Sequence, residues 1–294
     1  MSLSPELAAR LSTAGLDPRQ VEALVRAALE EDLAGGVDVT SVATVAVAQR
    51  SVGDLVARAA GVVAGLPVAE AVLEVVTEGD VLLERPVADG DLVGPGQLLL
   101  SVEGTTRALL TGERTALNFL GHLSGVATLT RRWVDAVAGT GAAIRDTRKT
   151  TPGLRALEKY AVRAGGGVNH RMSLSDAALV KDNHVVSAGG VAAAFDAVRR
   201  AWPDLAVEVE VDSLAQLDEV LDAGADLVLL DNMDVADLRE AVRRTAGRAR
   251  LEASGGLRLE NANDVAATGV DYLAVGALTH SAPVLDIGLD LRAV

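Results

Sequence analysis

The chain contains no cysteine. Disulfides, thiolate nucleophiles and cysteine-ligated zinc are therefore excluded. Aromatic residues make up only 2% of its 294 residues, although 49% are apolar. The core must be built from Ala, Val and Leu, which suits buried strands covered by packed helices. No stretch approaches the roughly 18–20 consecutive apolar residues of a membrane-spanning helix. Residues Met1–Arg10 show no basic stretch followed by an apolar run. No secretory signal is therefore expected, and the cytoplasm is the expected compartment.

Positive charge is also scarce. The net charge is −14, which disfavours binding to the phosphate backbone of nucleic acids. Of 27 basic residues only three are lysines, Lys149, Lys159 and Lys181. From Arg145 to Lys181 there are eight Lys or Arg against three acids, a segment of +5. A basic helix face around Arg155, Lys159 and Arg163 accounts for part of it through i,i+4 spacing. Arg148, Lys149, Arg171 and Lys181 are left over.

What is present is a regular alternation. From about Ala143 onward, six short apolar runs are separated by helical stretches. The runs are Ala143–Arg145, Ala178–Val180, Ala206–Val209, Leu227–Leu230, Arg250–Ala253 and Tyr272–Val275. Repeated strand–helix units mean a parallel sheet, open or closed. Every run ends in polar or glycine-rich sequence. An open sheet gathers its ligand at one switch point, whereas a barrel draws on most of its strand tips. An α/β barrel is therefore expected, with six clear strands. The first part of the chain reads as a smaller α+β domain. The boundaries are drawn at 1–112 for that domain, 113–282 for the barrel and 283–294 for a segment packing back on the N-terminal domain. A long helix over Thr106–Ala138 is expected to join the two, with a possible break at Ser124–Gly125.

The strand tips carry the candidate chemistry. Ser254-Gly255-Gly256 and Gly276 follow the last two strands, where barrels commonly bind phosphate through bare backbone N–H groups. Turn glycines with no ligand are the plain alternative. Glu210 and Asp231 end adjacent strands and suit Mg²⁺ or ribose hydroxyls, unless they are solvated rim acids. Arg148-Lys149 and His170-Arg171 lie in turn-rich loops. Arg can take a carboxylate bidentately, and Lys acts as a point charge on phosphate. His280 follows the Gly276 loop.

Several segments together resemble one family. They are Glu113-Arg114-Thr115-Ala116-Leu117-Asn118, Asp146-Thr147-Arg148-Lys149-Thr150, Gly166-Gly167-Val168-Asn169-His170-Arg171, Lys181-Asp182-Asn183-His184, Glu208-Val209-Glu210-Val211-Asp212, Leu230-Asp231-Asn232 and Ser254-Gly255-Gly256. The sequence resembles the quinolinate phosphoribosyltransferases from about Glu31 to Leu291. The resemblance implies an incomplete TIM-like barrel with an N-terminal α+β sandwich domain, usually in a homodimer. It implies transfer of phosphoribosyl from phosphoribosyl pyrophosphate to quinolinate with loss of CO₂. The products would be nicotinate mononucleotide and pyrophosphate, in NAD biosynthesis, with Mg²⁺. It further implies that Arg148, His170, Arg171 and Lys181 surround the quinolinate carboxylates, joined by Arg114 of a neighbouring subunit. Lys149 and His280 would face the pyrophosphate. Glu210 and Asp231 would hold metal and ribose, and Ser254, Gly255 and Gly276 the 5′-phosphate.

Three rivals are weighed. A paralogue with a one-carboxylate acceptor such as nicotinate would need fewer cations. A non-enzymatic phosphate-binding barrel would not need both a metal pair and a pyrophosphate lysine. An isomerase or aldolase would need Lys181 as a Schiff-base amine in apolar surroundings, yet Asp182 stands beside it.

Overall fold

The computed structural model describes residues 2–294. The chain divides into two compact units. The first comprises the chain up to Leu129, Ala156–Gly166 and Ser281–Val294. The second comprises Thr130–Arg155 and Gly167–His280.

The first unit opens with α1 (Pro5–Thr13), α2 (Pro18–Leu33) and α3 (Val39–Thr44). Ser4 and Asp17 cap the first two, each followed by a proline whose fixed φ suits the first helical turn. Helix α2 buries Val21, Val25 and Leu29, one stripe at i,i+4 spacing. Then come β1 (Arg50–Ala57), β2 (Gly61–Val62), α4 (Leu66–Val76), β3 (Leu82–Glu84), β4 (Leu92–Val93) and β5 (Leu98–Thr105). Helix α5 (Thr106–Ala136) follows as one continuous element. The break considered at Ser124–Gly125 does not occur. A Cβ at Gly125 would stand 2.2 Å from the carbonyl oxygen of Pro283, and one at Gly121 would stand 2.9 Å from Val284 Cγ1. These glycines let another segment lie against the helix backbone; they do not end the helix.

The second unit carries β6 (Ala143–Arg145), then α6 (Arg155–Ala164), of which only Arg155 belongs to this unit. It continues with β7 (Ala178–Val180), α7 (Asp182–Ala188), α8 (Val191–Ala201), β8 (Val207–Val211), α9 (Leu214–Asp222) and β9 (Leu227–Asp231). The remainder is α10 (Val235–Thr245), β10 (Arg250–Ser254), α11 (Leu259–Ala266), β11 (Tyr272–Ala274) and α12 (Ala277–His280). All six expected strands form. Their order is β6-β11-β10-β9-β8-β7, all parallel. A doubly wound sheet reverses its order at a switch point. Here β7 to β11 run consecutively and β6 sits beside β11, which is the order of a singly wound barrel. The β6–β7 pairing is missing, so the barrel is incomplete. Val168 forms a one-residue parallel bridge to Arg145 on the open side of β6.

Alternation along the strands sorts the side chains. On β8, Val207, Val209 and Val211 are buried on the face covered by α8 and α9, so Glu208 and Glu210 point to the barrel interior. The last strand, β12 (Ile287–Ala293), belongs to the first unit. It pairs antiparallel with β1 and completes a four-stranded sheet of order β12-β1-β5-β3.

Candidate active site

A cavity of about 620 Å³ opens within the second unit, at the C-terminal ends of the barrel strands. The left-over cations Arg148, Lys149, Arg171 and Lys181 all line it. The other basic residues of the +5 segment that belong to this unit are used internally. Arg145 Nη1 donates to Glu252 Oε2 at 2.7 Å, and Arg155 donates to Thr150 Oγ1 and to the Met172 carbonyl. Strand β6 ends at Arg145, and the following turn carries Arg148 and Lys149 to the rim. A hydrogen bond from Thr279 Oγ1 to the Lys149 carbonyl holds that turn, at 2.8 Å.

Two cations in this cavity each keep one unpartnered nitrogen. Arg148 Nε and Arg171 Nε are buried and make no hydrogen bond. Burial, and then the nearby positive charge of Arg148, push Arg171 below its ordinary value. Guanidinium groups held this way favour an incoming anion, which would restore the charge-assisted bonds they lack.

Lys181, at the tip of β7, forms an ion pair with Glu210, which ends the interior face of β8. Asp231 ends β9 and accepts from Asn232 Nδ2 at 2.6 Å. Glu210 and Asp231 line the same cavity on adjacent strands. Both offer only oxygen donors, and one or two carboxylates completed by substrate phosphates is the usual Mg²⁺ arrangement. The residues therefore fit that ion.

Ser254 and Gly255 line the cavity at the end of β10. Gly255 has φ +85°, and a Cβ there would stand 2.1 Å from Asn232 Oδ1. Only glycine fits. Gly276 and His280 do not line the cavity, but Gly276 lies against both Lys149 and His280. A Cβ at Gly276 would lie 3.0 Å from Lys149 Cδ and 3.3 Å from His280 Nε2. Arg114 is not among the residues that line the cavity. It is exposed on α5, in the first unit.

His170 borders the cavity with both ring nitrogens engaged. Nε2 lies 2.5 Å from Glu208 Oε2, and Nδ1 accepts from the Arg171 N–H at 2.7 Å. Below it Glu252 is fully buried. Burial, then the neighbouring Glu208, push the Glu252 carboxyl up to about 7, against the pull of Arg145. Arg145, Glu208 and Glu252 form a charged floor that the motifs alone did not single out. A signal was available: Glu alternates with Val on β8, and Glu252 stands between Leu251 and Ala253 on β10. On a strand whose apolar face is covered by helices, such acids face the barrel interior.

Two family descriptions and several relatives match the chain. The description "Quinolinate phosphoribosyl transferase, N-terminal domain" matches residues 38–124, and "Quinolinate phosphoribosyl transferase, C-terminal domain" matches residues 126–290. The chain belongs to the quinolinate phosphoribosyltransferase family. It is 57% identical over 272 residues to the nicotinate-nucleotide pyrophosphorylase (carboxylating) of Mycobacterium leprae, covering 91% of this chain and 95% of that one. It is 41% identical to the probable nicotinate-nucleotide pyrophosphorylase (carboxylating) of Bacillus subtilis, covering 81% and 82%. The crystal structure of NadC from Streptococcus pyogenes superposes with a TM-score of 0.91 at 41% identity, covering 95% of this chain and 99% of that chain.

Proposed function

We propose that this cavity joins phosphoribosyl pyrophosphate to quinolinate and releases pyrophosphate and CO₂, leaving nicotinate mononucleotide. The observation that carries the reading is the set of four cations around one cavity, two of them with unpartnered buried nitrogens, in a chain of this family. Quinolinate brings two carboxylates and the second substrate several phosphate charges. Fixed cations replace the water those anions lose on entry. A one-carboxylate acceptor would leave part of the Arg148, Arg171 and Lys181 group unmatched. A Schiff-base role for Lys181 is disfavoured by its ion pair with Glu210.

In this reading Arg148, Arg171 and Lys181 hold the quinolinate carboxylates and His170 braces them. Lys149 and His280 take the pyrophosphate as it leaves. Ser254, Gly255 and Gly276 receive the 5′-phosphate. As the glycosidic bond to pyrophosphate breaks, positive charge grows on the ribose, and the anionic side chains of Glu210 and Asp231 stabilise it. The quinolinate ring nitrogen then bonds to the ribose carbon. The resulting pyridinium is an electron sink. The bond to the adjacent carboxylate breaks, its electron pair stays on the ring carbon, and a proton replaces the CO₂. Glu210 and Asp231 would hold Mg²⁺, which when bound offsets the charge of the departing pyrophosphate. Release of CO₂ from quinolinate, dependent on phosphoribosyl pyrophosphate and Mg²⁺, tests the reading. Turnover of nicotinate in preference to quinolinate would overturn it.

The same reading assigns the protein to the cytoplasm, which cell fractionation tests. It also makes the enzyme a homodimer in which Arg114 of one subunit reaches the quinolinate site of the other. The exposure of this arginine supports that arrangement. Mixing inactive Arg114→Ala with inactive Lys149→Ala under verified subunit exchange should restore part of the activity, because some heterodimers regain one intact site. No recovery would confine Arg114 to its own chain.

A further inference from the structure

The floor of the cavity holds acids that are almost wholly buried. Glu208 is only 3% exposed and Glu252 not at all. What Glu208 touches is His170. Because His170 Nδ1 accepts the Arg171 N–H, the ring proton must sit on Nε2, and Nε2 then donates it to Glu208 Oε2. The other tautomer would set a proton against the Arg171 N–H and leave Glu208 facing a bare lone pair. The same turn is held from just beyond β6, where Asp146 accepts from the His170 N–H at 2.8 Å and from Asn169 Nδ2 at 2.5 Å. Arg145 balances the acids, 2.7 Å from Glu252 and 3.9 Å from Glu208. Beyond the pinned turn, Arg171 makes one side-chain bond, from Nη1 to the Ala177 carbonyl, and its Nε is unpartnered.

We propose that Glu208 is a positioning residue for the acceptor substrate: by accepting the Nε2 proton of His170 it locks the tautomer that holds the Arg171 backbone, and so fixes where the Arg171 guanidinium meets a carboxylate. The proposal rests on the reaction assigned above. It makes His170 a brace whose ring nitrogens are committed within the protein, and it separates Glu208 in role from Glu210, two residues along the same strand face.

Two substitutions divide the possibilities. Glu208→Gln keeps an acceptor oxygen for Nε2–H, whereas Glu208→Met fills the space without one. The Met variant should raise KM for quinolinate about tenfold, as expected for one misdirected charge-assisted contact, and leave KM for phosphoribosyl pyrophosphate nearly unchanged. The Gln variant should stay within about threefold of wild type, since its hydrogen bond survives. In an Arg171→Ala background the Met substitution should add little further. An unchanged quinolinate KM, an equal rise for both substrates, or a full effect without Arg171 would overturn the proposal. If the Met variant does not fold, ¹⁵N spectra of the four histidines decide, with His170→Asn giving the assignment. Wild type and the Gln variant should both show His170 protonated at Nε2 with Nδ1 accepting a hydrogen bond. An Nδ1-protonated His170 in wild type would refute the lock. The spectra need no turnover, so a failure of the assigned reaction would be seen separately as wild-type enzyme inactive on quinolinate.

Discussion

Two buried groups of charges in this molecule are treated in opposite ways. In the first unit, Glu70 on α4 has no exposed surface. Arg10 donates to both of its oxygens at 2.5 and 2.9 Å, and Arg85 adds bonds of 3.0 and 2.9 Å. Every oxygen has partners and nothing further is invited. In the second unit the charges are as closely set but incompletely matched. Among the described residues, five buried side-chain polar atoms lack a partner, and four of them, on Arg148, Arg171, Glu208 and Glu252, belong to residues in or under the cavity. A fully paired buried charge serves architecture, whereas the orphaned guanidinium nitrogens of Arg148 and Arg171 at the cavity mark where an anion is to supply the missing partners.

That contrast can be broken in several ways. Glu70→Ala removes the shared partner of two arginines whose side chains are 32% and 30% exposed and should cost about 1.5–3 kcal/mol in denaturant unfolding, with activity per folded molecule unchanged. If the loss were in activity and not in stability, Glu70 would not be architectural. Asp231→Asn removes a charge from the cavity with little change of shape. It should lower kcat by about 10²–10³ while the melting temperature holds, and near-normal turnover at saturating Mg²⁺ would remove Asp231 from the chemistry. Arg171→Ala should weaken quinolinate binding by about 1.5–3 kcal/mol, tenfold to a hundredfold in KM, because one charge-assisted bond is lost.

The smallest expected effect is a slope. Glu252 titrates higher in the folded chain, at about 7, than in the unfolded one, because burial and Glu208 disfavour its charge. The folded state therefore binds more protons than the unfolded state between the ordinary carboxyl range and about pH 7. Stability from this group is present at low pH and is lost as pH rises through that window, by at most about 1.4 kcal/mol per pH unit. Glu252→Gln should flatten the curve there. An unchanged slope would assign it to other groups.

The fold was largely legible because its signals are local. The six barrel strands and the helices α8 and α10 announce themselves by period and by turn residues, and the structure keeps them where the pattern puts them. Helix α7 buries no residue, so no apolar stripe marks it in the sequence. Strand β12 carries the alternation Ile287, Leu289, Leu291, but its partner β1 lies more than two hundred residues earlier, so no local pattern pairs the two. The cavity-lining cations stood out as a positive cluster in a lysine-poor, acidic chain. The floor beneath them did not. That Arg145 answers Glu252, and that His170 turns its ring to Glu208, depends on which strands lie side by side, and no local pattern states it.

The pairing of β12 with β1 bears on how the chain is made. The sheet of the first unit waits for a strand that is synthesised only after the whole second unit. While the chain emerges, β1 has β5 on one side and an unclaimed row of backbone N–H and C=O groups on the other, open to any passing strand. A chain interrupted before Ser281 keeps that edge exposed, and it also lacks the Pro283–Val284 segment that fills the hollows at Gly121 and Gly125. An incomplete molecule is therefore one whose first sheet still has an unpaired edge.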